Sequence, residues 1–179
     1  MLDFLAREAR AADLMLTGVA RGDAFDSSRA VNTGELVLRV GRPVLVVPLA
    51  ARELRLERVL VAWKDTRESR RAIVDALPLL QQARRVTLGT VAEEGDLAIT
   101  RARLADVGRW LARHGVVAEQ VAAPAIGDDA DALWVLAQDL GADLIVAGAY
   151  GHSRLREWVL GGVTKNLLLS KDRYSLVSH

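Results

Sequence analysis

Ala142 to Thr164 reads ADLIVAGAYGHSRLREWVLGGVT, and the parsing of this stretch decides the fold. Leu144-Ile145-Val146-Ala147 is an apolar run closed by Gly148. It is too short for a helix and is bounded by glycine, the pattern of a buried parallel strand. Beyond Gly148-Ala149-Tyr150-Gly151 lies a polar, basic segment. Gly161-Gly162-Val163-Thr164 then opens an amphipathic run carrying Leu167, Leu168 and Leu169. The order is strand, glycine loop, excursion, glycine pair, helix. Glycine lets backbone amides approach a ligand closely, and a helix N-terminus adds unpaired N–H groups at the positive end of its dipole. The stretch therefore predicts a pocket for phosphate oxygens, against the plainer alternative that the glycines only turn and cap. It is not a Walker loop, having no Gly-Lys-Ser or Gly-Lys-Thr, and its glycine spacing does not fit the dinucleotide fingerprint.

Upstream, the same alternation recurs. Strands are predicted at Val59–Trp63, Val86–Val91 and Val116–Ala123, with a last one at Ser175–Ser178. Between them, amphipathic runs over Glu68–Ala83 and Ile99–His114, and one ending at Leu140, predict helices. Strands alternating with helices argue for a doubly wound α/β fold with a parallel sheet. Ligands of such sheets bind beyond the carboxyl ends of the strands, where the strand order reverses. Asp128, Asp129 and Asp131 stand at the start of the third helix and are read as capping and dipole-complementing residues rather than as a metal site.

The first 48 residues repeat part of this pattern. Ala12-Asp13-Leu14-Met15-Leu16-Thr17-Gly18 aligns with Ala142-Asp143-Leu144-Ile145-Val146-Ala147-Gly148, sharing Ala, Asp, Leu and Gly. Leu36-Val37-Leu38 then falls against Leu167-Leu168-Leu169, and Val44-Leu45-Val46 against Ser175-Leu176-Val177. Residues 1–48 thus read as the trailing strand–helix–strand of a domain, 49–57 as a charged linker, and 58–179 as the complete copy. Where the complete copy has Gly151, the partial one has Arg21, so no nucleotide is expected there. A trailing fragment without its first strand exposes an open sheet edge. Its last strand is expected to pair with Ser175–Ser178, or two chains are expected to cover each other's edges, giving a homodimer through the terminal strands.

The spacing Gly148, two residues, Gly151, nine residues, Gly161, then a small residue resembles the nucleotide-binding signature of the universal stress proteins, and the resemblance runs from Arg58 to His179. Where the family has Ser or Thr after the third glycine, this chain has Gly162, with Thr164 two positions on. The resemblance implies a doubly wound five-stranded parallel sheet in the order 3-2-1-4-5, adenine-nucleotide alpha-hydrolase-like, preceded here by a partial copy made of the fourth strand, fourth helix and fifth strand. It places the site where Ala62, Trp63, Lys64 and Asp65 meet Gly148, Tyr150 and Gly151. It assigns Gly148, Gly151, Gly161, Gly162, Val163 and Thr164 to a triphosphate, with His152, Ser153 and Arg154 as further donors. Val91 matches the position that touches adenine, and Trp63 stands at the mouth as a stacking surface. The family's aspartate near the adenosine is Lys64 here, with Asp65 next. The implied ligand is ATP, or AMP or ADP, with Mg as an optional companion. The implied role is a cytoplasmic stress-response regulator that signals by its occupied state. A nucleotide-free dimeric scaffold and a slow ATPase, with His152 or Asp65 orienting water and Arg154 absorbing charge, are the rival readings.

Composition narrows the field. Hydrophobic content of 51% and charged content of 26% over 179 residues suit one globular domain or one and a part. Lys and Arg number 24 against 23 Asp and Glu, which argues against a nucleic-acid binder with its clustered basic excess. The absence of cysteine excludes disulfides and thiolate-held metals. No apolar run is long enough to cross a bilayer, and Asp3, Arg7, Glu8 and Arg10 interrupt the start where a signal peptide would be apolar. His114, His152 and His179 are not spaced as metal ligands.

Overall fold

The computed structural model describes residues 1–18, 32–50, 53–92, 96–125, 129–150 and 172–179. In chain order the elements are α1 (Leu2–Glu8) running into a 3-10 turn (Ala9–Ala11), β1 (Met15–Gly18), α2 (Thr33–Val40), β2 (Val44–Val47), β3 (Arg58–Ala62), α3 (Arg67–Leu80), β4 (Arg85–Ala92), α4 (Leu97–Arg113), β5 (Ala118–Pro124), α5 (Asp129–Asp139), β6 (Leu144–Gly148) and β7 (Tyr174–Ser178).

Local chemistry sets several of these bounds. Asn32 caps α2, its Oδ1 accepting from the amides of Gly34 at 2.9 Å and Glu35 at 3.3 Å. Those amides have no partner within the helix, which is why a short amide side chain is favoured there. Gly41 stops α2 at φ 60°, a left-handed conformation that strains residues carrying a Cβ. Thr66 caps α3 by accepting from the Ser69 amide.

All seven strands form one sheet in the order β1-β2-β7-β6-β3-β4-β5. From β7 to β5 every neighbouring pair is parallel, which is the expected 3-2-1-4-5 arrangement. The expected pairing of the leading segment is also present, and within one chain: β2 runs antiparallel to β7, with Val44 opposite Val177, Leu45 opposite Leu176 and Val46 opposite Ser175. Among the described residues the sheet thus has seven strands rather than five, and β7 is not an edge.

Alternation along the strands divides the core. Leu45, Val59, Val61, Leu88, Val146 and Leu176 face α3 and α4. Val44, Val46, Leu60, Ile145, Ala147 and Val177 face the opposite side, with α2 and α5. Both cores run without a break across the β2–β7 junction. One strand differs from its sequence reading. The run ending at Gly18 predicts a buried strand, whereas β1 is half-exposed and Leu16 keeps 64% of its surface. Among the described strands β1 is the outermost, and α3, which covers the Leu45 and Leu176 side of the sheet, sits over β6 and β7.

Candidate functional site

Strand order reverses at β3. The chain steps from β3 to β4 on one side and returns through β6 to β7 on the other. In doubly wound sheets the ligand crevice lies beyond the carboxyl ends of the strands on either side of such a reversal, here β3 and β6. The described residues bordering it are those after Ala62 and those from Gly148 to Tyr150.

The loop after β3 is tied down by its own backbone. The Trp63 amide donates to the Gly89 carbonyl at 2.7 Å and the Thr66 amide to the Lys64 carbonyl at 2.7 Å. The Lys64 amide donates to Ser69 Oγ at 3.4 Å. On the other side the Ala149 amide donates to the Ser178 carbonyl at 2.8 Å. These four amides are therefore engaged within the protein. In the first loop the Trp63 amide continues the ladder to β4, the Thr66 amide closes a turn on Lys64, and the Lys64 amide meets the Ser69 side chain of α3. Asp65 is also committed, accepting from Arg70 at 2.7 Å.

Gly148 carries the tightest constraint at the crevice. A Cβ on it would stand 2.5 Å from the Glu68 carbonyl carbon, 2.5 Å from the Ser69 amide nitrogen and 2.8 Å from Glu68 Cβ. The first turn of α3 thus rests directly on the end of β6, and only glycine leaves room for it.

Glu68, in that first turn, is 1% exposed. Its Oε1 accepts from Arg67 Nε at 2.5 Å, while Oε2 is buried without a hydrogen-bond partner among the described residues. Burial raises the pKa of this carboxyl. The hydrogen bond from Arg67, those from its own backbone and Thr66, and the Arg67 charge outweigh that effect and hold it below its ordinary value. Glu68 is an ionised acceptor at the crevice that the sequence reading missed. Its position two residues after a capping threonine marks it only as a dipole-complementing acid, a group ordinarily solvated.

Tyr150 follows in a left-handed conformation, φ 61°. Its ring meets that of His179 edge-on, with centroids 6.3 Å apart, and His179 Nδ1 lies 3.1 Å from the Ala149 carbonyl oxygen. The phenol oxygen reaches the start of α2, 2.1 Å from where a Cβ on Gly34 would be. Burial, then the charge of Glu35, raises its pKa above 10.0.

The family model of the universal stress protein family matches residues 55–170. The chain belongs to the universal stress protein family. No curated protein matches it by sequence. Among solved structures, a universal stress protein from Archaeoglobus fulgidus aligns over 99% of the chain at TM-score 0.78 and 16% identity, and the chain spans 66% of that protein's length. The universal stress protein UspA from Lactobacillus plantarum aligns over 71% of this chain and all of its own at TM-score 0.61 and 16% identity. A universal stress protein in complex with cAMP aligns over 69% of this chain and 96% of its own at TM-score 0.54 and 24% identity.

Within this family fold the predicted site residues separate by face. Ala62 and Val91 are partly buried and belong to the core on the α5 side. Trp63 belongs to the core on the α3–α4 side, because side chains one residue apart on a strand point to opposite faces. Lys64 and Asp65 are exposed on the loop. Gly151, His152, Ser153, Arg154, Gly161, Gly162, Val163 and Thr164 lie outside the described residues, as does the helix expected after Gly162.

Proposed function

We propose that this universal stress protein holds an adenine nucleotide at the carboxyl ends of β3 and β6 and acts as a nucleotide-dependent regulator. The observation that carries the reading is the placement of Ala62 and Val91. They are partly exposed apolar residues at the ends of adjacent strands, on the same face, beside the reversal of strand order. Such a surface suits the flat face of a base. With the amides of the first loop engaged, the phosphates fall to Gly151, Gly161, Gly162, Val163 and Thr164, with His152, Ser153 and Arg154 as added donors and Gly148 and Tyr150 setting the path into that segment. ATP, ADP or AMP each satisfies this layout. Among the described residues no group of three His, Cys, Asp or Glu side chains is placed to hold a metal, so Mg in this reading travels with the phosphates.

The test is calorimetric titration with ATP, ADP and AMP, combined with mass spectrometry of small molecules that co-purify. Saturable binding that Val91→Arg abolishes and Trp63→Phe leaves intact supports the reading. Absence of binding by all three nucleotides overturns it and leaves the nucleotide-free scaffold, the reading favoured by the engaged amides and by Lys64.

Residues 1–48, in the same reading, are the trailing part of a second copy of the domain. The register supports it. Met15 opposite Val44 and Leu16 opposite Leu45 repeat Ile145 opposite Ser175 and Val146 opposite Leu176, the same pairs in the sequence repeat. The β2–β7 junction is symmetric about Leu45 and Leu176, as an isologous contact between equivalent strands must be. In this reading the junction is the chain's own pseudo-two-fold contact. A homodimer then uses β1, whose outer edge is unpaired among the described strands and carries the exposed Leu16. Sedimentation should show a dimer that Leu16→Lys dissociates; a monomer at all concentrations removes this element.

A further inference from the structure

We infer a second small-molecule site in the groove between α3 and α4, shaped for an aromatic carboxylate or sulfonate. It is independent of the nucleotide reading and lies on the opposite face of the sheet from Ala62 and Val91. The groove arises because the two helices straddle the middle of the sheet. α3 packs over β6 and β7, and α4 over β5 and β4. Their facing sides leave a cleft of about 470 Å³ beside the end of β3, within the range of small-ligand pockets.

Its lining is apolar and flat. Trp63 closes the end of β3, Ile73 forms the floor, and Val107 and Trp110 form the α4 wall. Val74 faces it from α3 and remains 50% exposed. Two indoles flanking one cleft favour an aromatic body, which stacks on them face to face or edge to face.

The rim fixes the sign of the ligand. Five charged residues border the cleft: Arg70, Arg103 and Arg113, with Asp65 and Asp106. Both carboxylates are neutralised, Asp65 by Arg70 at 2.7 Å and Asp106 by Arg109 one turn along α4. Arg103 and Arg113 have no ion pair among the described residues. They lie on one stripe of α4, roughly 15 Å apart at 1.5 Å per residue, at either end of the cleft wall. A guanidinium fork binds a planar carboxylate in two parallel hydrogen bonds. An aromatic acid can therefore lay its ring between Trp63 and Trp110 and its anionic group on either arginine.

The experiment titrates the protein with 2-naphthoate and, separately, with neutral 2-naphthalenemethanol, following tryptophan fluorescence. Saturable quenching is expected, with the acid binding more tightly than the alcohol. Reversing both charges with Arg103→Glu and Arg113→Glu should weaken naphthoate roughly tenfold, as expected when one solvent-exposed pair is replaced by a repulsion of similar size, and leave the alcohol unchanged. Val107→Trp fills the cleft and should abolish both; Val74→Met, at a half-exposed position, narrows it without adding charge or touching the core and should weaken both if Val107→Trp does not fold. Absence of saturable quenching by naphthoate overturns the inference. So does equal binding of acid and alcohol, or binding unchanged by Val74→Met in a protein whose melting curve is unchanged.

Discussion

Gly148→Ala separates a glycine needed for packing from one needed for a ligand. The added Cβ would meet the Glu68 carbonyl carbon and the Ser69 amide nitrogen at 2.5 Å each. Both belong to the capped first turn of α3, so no side chain can swing away; either α3 lifts or β6 shifts in the middle of the sheet. Overpacking of this kind costs about 1–3 kcal/mol. Backbone contacts from two residues put this site in the upper part of that range. Alanine recovers roughly 0.4–1 kcal/mol by restricting the unfolded chain, leaving a net loss of about 1.5–2.5 kcal/mol. At about 2–4 °C per kcal/mol for a chain of this size, the melting temperature should fall by about 3–10 °C, measured by circular dichroism. Gly18→Ala is the matched control: it occupies the equivalent place at the end of β1, and a Cβ there meets nothing within 4 Å. It should melt at or slightly above the wild-type temperature. Should Gly148→Ala melt like wild type while losing nucleotide, the packing argument fails and the residue serves the ligand.

Three further outcomes follow from the same geometry. The lowered pKa of Glu68 means that the unfolded state, with its ordinary value of 4.5, takes up the proton first as pH falls. The stability it contributes is present above 4.5 and lost as pH drops through the lower folded value. Urea unfolding should therefore show the difference between wild type and Glu68→Gln shrinking in acid, and a difference that is constant with pH would count against an ionised Glu68. Tyr150 acts at the other end of the scale. Its folded pKa is raised above 10.0, so its contribution is intact below 10.0 and is lost as pH rises toward the folded value. Tyr150→Phe should lack that alkaline decline, and Glu35→Gln should lower the tyrosinate midpoint only in part, because burial is the larger cause. Leu176→Ala empties a fully buried position at the junction of β2 and β7 and should cost about 2–5 kcal/mol. Because the core is continuous there, the loss should appear in a single urea transition; separate transitions for the leading segment and the rest would contradict that continuity.

The sequence made the sheet legible and left the crevice half-hidden, for reasons visible in particular residues. Val59–Val61 and Leu144–Val146 are apolar without interruption, and only a strand covered on both faces accepts that. The repeat of Ala12–Gly18 in Ala142–Gly148 gave even the pairing of β2 with β7, since a fragment that ends in a last strand needs a partner of the same kind. Burial of β1 was misjudged because Leu14-Met15-Leu16 matches Leu144-Ile145-Val146 in pattern, while what covers a strand is set by its neighbours. The glycine signature was equally ambiguous at Gly148. A missing Cβ admits a phosphate or a helix with the same letter, and the described geometry fills the space with α3. Trp63 was read at the crevice from its place after a strand, but strand parity sends it to the other face, toward Trp110.

That parity gives the two ends of one short segment different roles. Ala62 and Trp63 are neighbours in sequence, yet the first lies on the face proposed for the nucleotide and the second borders the α3–α4 groove. The loop that follows is fixed by its bonds to Gly89 and Ser69, so a ligand that moves Trp63 also pulls on the α3 cap and, through the turn resting on Gly148, on the end of β6. Both sites therefore bear on one rigid connection. A coupling between them requires only that each ligand prefer a different position of that turn. Naphthoate affinity measured with and without saturating ATP decides the matter: a ratio different from one, matched by the reciprocal change in ATP affinity, establishes the coupling, and identical affinities show that the turn does not move.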